Sequence, residues 1–163
     1  MKTLCILIAM VLLAGCAAPR LDTASGRPEV TVNATKAKVR ALLIKQLVDR
    51  GYLVVNETES MIQMEGDAGG AADFWFTNTL SGERPKTILR LNVIDTGGGI
   101  RVLMTAKLWR PTYRAELDIT NRDGLNRLQW FLDCMAAELE GRSLPPEPPK
   151  PPTVPANSPK SLK

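Results

Sequence analysis

Histidine is absent from the 163-residue sequence, and this absence narrows the chemistry that the chain can perform. Histidine is the commonest general base near neutral pH and the commonest metal ligand. Without it, the usual Cys–His pair and the common zinc sites are excluded. The serines show no nucleophile-elbow pattern, and the carboxylate pairs fall in predicted turns or helix caps. We therefore expect no enzymatic activity, no metal site and no cofactor.

A hydrophobic run long enough to cross a bilayer is also absent. The longest apolar run covers residues 4–13 and falls short of the roughly 20 residues that a transmembrane helix needs. Lys2 precedes this run, and the small residues Ala14 and Gly15 follow it. A charged start, a short apolar stretch and small residues are typical of a secretory signal peptide, which we place at residues 1–15.

The end of this segment reads Leu13-Ala14-Gly15-Cys16, and the motif resembles the lipobox of bacterial lipoproteins. The resemblance implies cleavage before Cys16, a diacylglycerol on its sulfur and an acyl chain such as palmitate on its amino group. Several acyl chains anchor a protein stably to a membrane. Ala17 stands where the family's inner-membrane retention signal has aspartate. The resemblance therefore implies a lipoprotein of the outer membrane of a Gram-negative cell, facing the periplasm.

Cysteine is scarce, with three in the chain. Cys5 lies in the signal peptide and Cys16 carries the expected lipid, so Cys134 is left as a single thiol. One thiol forms no internal disulfide. Cys134 is then either a partly buried, inert thiol or a link to another chain, and the frequent burial of cysteine favours the first alternative.

Composition divides the rest of the chain into a tether, one domain and a tail. Residues 16–29 are small, polar and rich in proline and glycine, which is typical of a flexible tether. Residues 30–142 carry the periodic patterns and suffice for one domain of ordinary size. Residues 143–163 hold most of the prolines and are predicted to be a disordered or extended tail. The net charge of +4 is too mild to indicate a nucleic-acid partner.

Two segments have helical periodicity. Residues 36–50 carry an apolar stripe formed by Val39, Leu42, Leu43 and Leu47. Residues 121–140 carry a second stripe, formed by Leu125, Leu128, Phe131, Leu132, Met135 and Leu139. Strands are predicted where β-branched or alternating patterns occur, at residues 30–32, 52–56, 61–65, 86–95, 100–109 and 116–119.

The clearest strand pair, residues 86–95 and 100–109, is apolar on one face and polar on the other. This alternation indicates an antiparallel sheet that is covered on one side only. We therefore predict an α+β fold in the order β-α-ββ-(β)-ββ-α. Its antiparallel sheet has four to six strands, and two helices cover one face. The bracketed strand would be the aromatic segment near residues 74–79.

Several short motifs, each present once, follow one another along residues 39–139. They are Val39-Arg40, Arg50-Gly51-Tyr52, Thr58-Glu59-Ser60, the run from Gly97 to Val102 and the run from Leu117 to Asn121. Their order resembles the order of motifs in a family of uncharacterised proteobacterial lipoproteins. The arrangement is also similar in outline to the helix-grip domains of an outer-membrane assembly lipoprotein. These resemblances imply a fold and a location but no reaction.

The candidate binding residues fall into two sets. A polar set is predicted to share the open face of the sheet and to contact a partner, with a merely solvated face as the alternative: Arg90, Asn92, Arg101, Thr105 and Lys107. An aromatic set is predicted either to line an apolar pocket or to belong to the core and the sheet edge: Phe74, Trp75, Phe76 and Trp109.

The sequence thus favours a membrane-anchored lipoprotein that acts as a non-enzymatic protein-interaction or envelope-assembly module. Its expected partners are the membrane, through Cys16, and an unidentified envelope protein. The alternative is a periplasmic carrier that holds a lipid or a small apolar ligand between the helices and the sheet, with the aromatic set as its lining.

Overall fold

The computed structural model describes residues 21–67, 85–110 and 114–149. Within these ranges the chain forms an antiparallel sheet and two helices, which confirms the predicted α+β fold. The elements are β1 (Glu29–Val32), α1 (Lys36–Val48), β2 (Leu53–Glu57), β3 (Met61–Asp67), β4 (Lys86–Asp95), β5 (Ile100–Arg110), β6 (Ala115–Asp118) and α2 (Arg122–Glu140). The bracketed strand near residues 74–79 lies outside the described residues.

The sheet has the order β1-β5-β4-β3-β2, and β6 also pairs with β5. Strand β4 occupies one side of β5 along almost its whole length, so β1 and β6 share the other side. Strand β1 pairs with the first part of β5, from Ile100 to Leu103, and β6 pairs with the last part, from Lys107 to Arg110. The two short strands therefore lie end to end along this side of β5. We call the gap between them, beside residues 104–106, the notch.

Helix α1 begins after Thr35, whose side-chain oxygen accepts a hydrogen bond from the backbone N–H of Lys38 at 3.3 Å. Gly51 follows its end with a φ of 85°, a left-handed conformation that turns the chain back towards the sheet. The helix predicted over residues 36–50 is confirmed, although it ends at Val48. Its fully buried residues belong to the predicted stripe: Val39, Leu43 and Leu47.

Helix α2 contributes the other half of the covering layer. Four residues of the predicted stripe are at most 1 % exposed: Leu128, Phe131, Leu132 and Met135. Leu125 and Leu139 are only partly buried, and Ala136 and Ala137 are buried although they lie outside the stripe. The guanidinium of Arg50 lies 5.0 Å from the centroid of the Phe131 ring, in cation–π contact. This contact ties the chain just after α1 to the middle of α2. Neither helix is long and apolar enough to cross a bilayer, within the part of the chain that the structure describes.

The core fills the space between the helices and the covered face of the sheet. Alternate residues of β3, β4 and β5 point into it, among them Met64, Leu91 and Val102, and each of these three is fully buried. They form one continuous cluster with the apolar stripes of α1 and α2. The described domain therefore has a closely packed interior, as native cores do.

The segments that flank the domain are partly held against it. Residues 21–28, in the expected tether, are folded into turns, with Gly26 N–H donating to the Thr23 carbonyl at 3.0 Å. At the other end, the Trp130 indole N–H donates to the Pro145 carbonyl at 3.2 Å. The first prolines of the expected tail therefore run back along α2 instead of leaving the domain directly.

Candidate functional site

The register of β4 and β5 brings the polar set onto one face of the sheet. Arg90 lies opposite Thr105, and the alternation of both strands places Asn92, Arg101 and Lys107 on the same side. This is the face that the helices leave open. Asn92 is exposed and the other four residues are partly buried.

Most of the charge on this open face is neutralised within the domain. Arg101 forms an ion pair with Glu29 of β1, and Lys107 Nζ lies 2.8 Å from Glu116 Oε2. Arg90 Nε donates to Gln63 Oε1 at 3.3 Å. Gln63 is neutral, so this bond holds the Arg90 guanidinium without cancelling its charge. Because two of the three cations of the face are ion-paired within the domain, the face offers little net charge to an outside protein and resembles a solvated surface.

The Arg101–Glu29 pair has the clearest effect on a titrating group. Burial raises the pKa of the Glu29 carboxyl, but hydrogen bonds from Arg101 and from Ser25 outweigh it, so this pKa lies below its ordinary value. A hydrogen bond from Lys107 likewise lowers the pKa of the Glu116 carboxyl. Both carboxylates act as fixed anions that hold a neighbouring cation.

One residue of the aromatic set, Trp109, lies among the described residues. Trp109 is half-buried and follows the alternation of β5, which places it on the open face, away from the helices. Phe74, Trp75 and Phe76 lie outside the described residues. Since packed side chains fill the space between the helices and the sheet, the geometry gives the carrier alternative no support at that position.

The two edges of the sheet differ strongly, and sequence reasoning did not predict this difference. At the β1 edge, the side-chain amide of Gln129 on α2 reproduces the hydrogen bonds of a neighbouring strand. Its Oε1 accepts from the backbone N–H of Glu29, and its Nε2 donates to the backbone carbonyl of Glu29, both at 2.9 Å. This amide closes the β1 edge beside Glu29 to further strands.

The β2 edge is open in the described part of the chain, where β3 is its only strand partner. All five of its residues are exposed, although three in succession are apolar. Leu53, Val54 and Val55 are 70, 39 and 48 % exposed, and we call these three residues the apolar edge. Unpaired peptide groups beside exposed apolar side chains are a template for adding another strand.

A β-bulge shapes this edge. Val54 pairs with Met64 and Asn56 pairs with Gln63, so Val55 is an extra residue in β2. The extra residue reverses the alternation after it and turns Glu57 towards the helices, opposite Ile62. Arg40 of α1 meets Glu57 there, with its Nη2 2.5 Å from the carboxylate. The bulge therefore fixes both the twist of the edge and its ionic link to α1.

A shallow groove runs between α1 and the end of β2. Its volume is about 750 Å³, and its wall on the α1 side carries Ala37, Ala41 and Ile44. Two ion pairs cross it, Arg40–Glu57 and Lys36–Glu59, the second at 3.4 Å. The groove and the apolar edge share strand β2, because Glu57 in the groove is the last residue of that strand. The two cations and two carboxylates of the groove balance in charge.

The sequence contained one signal for this surface. Residues 53–55 are apolar in succession, whereas a strand at the edge of a one-sided sheet normally alternates. Gln129 gave no comparable signal, because a glutamine on a helix surface has many ordinary uses. The bulge at Val55 was likewise invisible without the register of β3.

The remaining reactive group is Cys134, which is half-buried on α2. Burial and the nearby Asp133 raise the pKa of its thiol, which keeps it protonated near neutral pH. The ranges that the structure describes contain no group of three or more cysteine or acidic residues that could hold a metal ion. Comparison with family models, curated proteins and solved structures gives no match for this chain.

Proposed function

We propose that this chain is a lipid-anchored module of the bacterial envelope that binds another envelope protein by adding one of its extended segments to β2. The observation that carries the proposal is the β2 edge, which has no strand partner other than β3 among the described residues and exposes three consecutive apolar residues. We propose that the module binds its partner without catalysing a reaction.

Strand addition suits this surface for a physical reason. The free peptide groups of β2 supply main-chain hydrogen bonds, and the side chains on either side of the edge supply selectivity. Leu53 and Val54 project to opposite faces, since Leu53 pairs with Glu65 and Val54 with Met64. A partner strand would cover one apolar residue on each face and extend the sheet by one strand.

The chemistry of the partner follows from the charges around the edge. Glu57 and Glu59 are compensated by Arg40 and Lys36, so the groove presents little net charge. A segment with alternating apolar side chains, few charges and no proline at the paired positions would fit it, because proline cannot donate to the ladder. The partner proposed here is such an extended segment.

The anchor completes the proposal. Lipidation of Cys16 would hold the domain near the membrane, and we propose the periplasmic side of the outer membrane as its location because Ala17 follows the cysteine. Mass spectrometry of the mature native chain tests this part: acyl chains at Cys16 are expected, and their loss is expected in Cys16→Ser. An unlipidated native chain contradicts the anchor.

Site-specific photo-crosslinking in intact cells tests the interaction. A photoreactive residue replaces Leu53 in one chain and Ile94 in a control chain, because Ile94 is also apolar and 43 % exposed but lies away from β2. We expect one discrete protein adduct from position 53 and none from position 94. Adding Val54→Lys to the first chain should remove the adduct.

Two results would argue against the interaction at β2. Equal adducts from both positions would mean that exposed apolar residues crosslink without selectivity. A crosslink from position 53 only to the chain itself would mean that the edge is covered internally.

A further inference from the structure

The notch beside β5 is a separate cavity of about 580 Å³. It exists because β1 and β6 stop short of one another along the same side of β5. The turn at residues 25–28 forms one wall, and residues 118–120 with the start of α2 form the other. Its volume falls within the range of small-molecule sites.

A further strand cannot enter the notch. The backbone N–H of Met104 donates to the Pro28 carbonyl at 2.9 Å, and the carbonyl of Ala106 accepts from the N–H of Ile119 at 3.0 Å. The flanking segments are thus bonded to β5 as far as Met104 and Ala106, which leaves no room for a further strand between them. The occupant is therefore not a strand, unlike the partner proposed for β2.

The floor and the rim of the notch have different chemistry. The floor is apolar: Leu125 is partly exposed there, and Met104, Ile119 and Leu128 lie behind it as part of the core. The rim carries hydroxyl groups and two cations: Ser25, Thr105, Thr120, Arg27 and Lys107. A ligand with an apolar chain on this floor and a polar head at the rim would match both parts of the notch.

The rim favours an anionic head. Arg27 is exposed, and no ion pair with it occurs between residues that the structure describes. Lys107 is paired with Glu116 at 2.8 Å and also lies 3.9 Å from Asp118, so its charge is already engaged within the domain. Arg27 is therefore the rim cation that has no ion pair among the described residues, and its planar guanidinium suits the oxygens of a phosphate or carboxylate.

We propose that the notch binds a single-chain amphiphile with an anionic head group. Arg27 holds the head, and Leu125, with Ile119 beside it, covers the first carbons of the chain. This inference is independent of the strand addition proposed for β2. It assigns a ligand class to an edge of the sheet that the β2 partner does not touch.

Calorimetric titration with octyl phosphate tests the proposal. The protein is the mature full-length chain with Cys16→Ser, so that no acyl chain of its own competes. Octanol and inorganic phosphate are titrated separately, as the tail and the head alone. We expect saturable binding of one octyl phosphate, at least about tenfold tighter than binding of either part, since a charged hydrogen bond contributes roughly this much.

Two variants test whether octyl phosphate binds in the notch. Arg27→Gln should weaken octyl phosphate about tenfold and leave octanol unchanged, because only the head loses its partner. Leu125→Asn should weaken both octyl compounds. Lys38→Gln, at an exposed cation on α1, is the matched control and should change neither. Absence of saturable binding, or equal affinity of octyl phosphate for the Arg27→Gln and Lys38→Gln proteins, would overturn the proposal.

Discussion

Gly66 on β3 shows how a single residue fixes the packing beside the open edge. A side chain at this position would place its Cβ 2.8 Å from Cδ1 of Tyr52, closer than van der Waals contact allows. The ring of Tyr52 is fully buried and takes the space that a side chain on β3 would fill. Tyr52 directly precedes β2, so this contact holds the start of the edge strand on the core.

We expect Gly66→Ala to lower the free energy of unfolding by about 1–3 kcal/mol, because a buried aromatic ring has little room to move. Gly98→Ala is the matched control, since its Cβ would meet no atom within 4 Å and its φ is not positive. Urea denaturation of both variants measures the difference. Equal stability of the two proteins would mean that Tyr52 adjusts without cost.

Glu29 links stability to pH. Its pKa in the folded protein lies below its unfolded value, which is about 4.3 for glutamate, so the folded state binds fewer protons. Its stabilising contribution is therefore complete above the unfolded pKa and is lost as pH falls through the folded pKa. Glu29→Gln, which keeps the shape but cannot ionise, removes this contribution.

We expect wild type to be more stable than Glu29→Gln at pH 7 and the difference to shrink between pH 5 and pH 2. Urea denaturation across this range measures it. A difference that stays constant with pH would mean that the charge of Glu29 contributes nothing to folding through Arg101.

At the scale of elements, sequence periodicity predicted the helices and strands whose buried face depends on the local spacing of apolar residues. The apolar stripe of α1 was confirmed, and so was the strand pair on either side of residues 96–99. Both were predictable because the spacing of apolar residues determines which face of an element is buried. The closed β1 edge and the bulge at Val55 were not predicted. Both depend on which residue of a distant element lies opposite, and a single sequence carries little trace of that.

The closure of the β1 edge by α2 yields a prediction of its own. Gln129→Ala leaves the backbone N–H and carbonyl of Glu29 without their side-chain partner, so we expect a loss of about 1–3 kcal/mol in the free energy of unfolding. Gln63→Ala is the control, because among the described residues the Gln63 amide bonds to a side chain, that of Arg90, and to no backbone group. Chemical denaturation compares them, and losses of similar size would contradict a special role for Gln129.

At the scale of the whole molecule, the described domain combines a packed core, one closed edge and one open edge. The alternation of apolar and polar residues predicted the one-sided sheet and its core. The candidate polar residues lie on one side of that sheet, but Arg101 and Lys107 are ion-paired within the domain. The surface that the geometry favours for binding is the β2 edge, where Leu53 and Val55 had been predicted only as parts of a strand.

The proposed strand addition requires that β2 present an unpaired edge until a partner strand covers it. Amide hydrogen exchange of β2, measured on the isolated full chain and on the chain in native envelope membranes, reports whether that edge is paired. We expect rapid exchange of the outward-pointing amides of β2 in the isolated chain and slow exchange in the membranes, with the β4 amides slow in both. Slow exchange of those β2 amides in the isolated chain, or rapid exchange in both samples, would contradict the proposed strand addition.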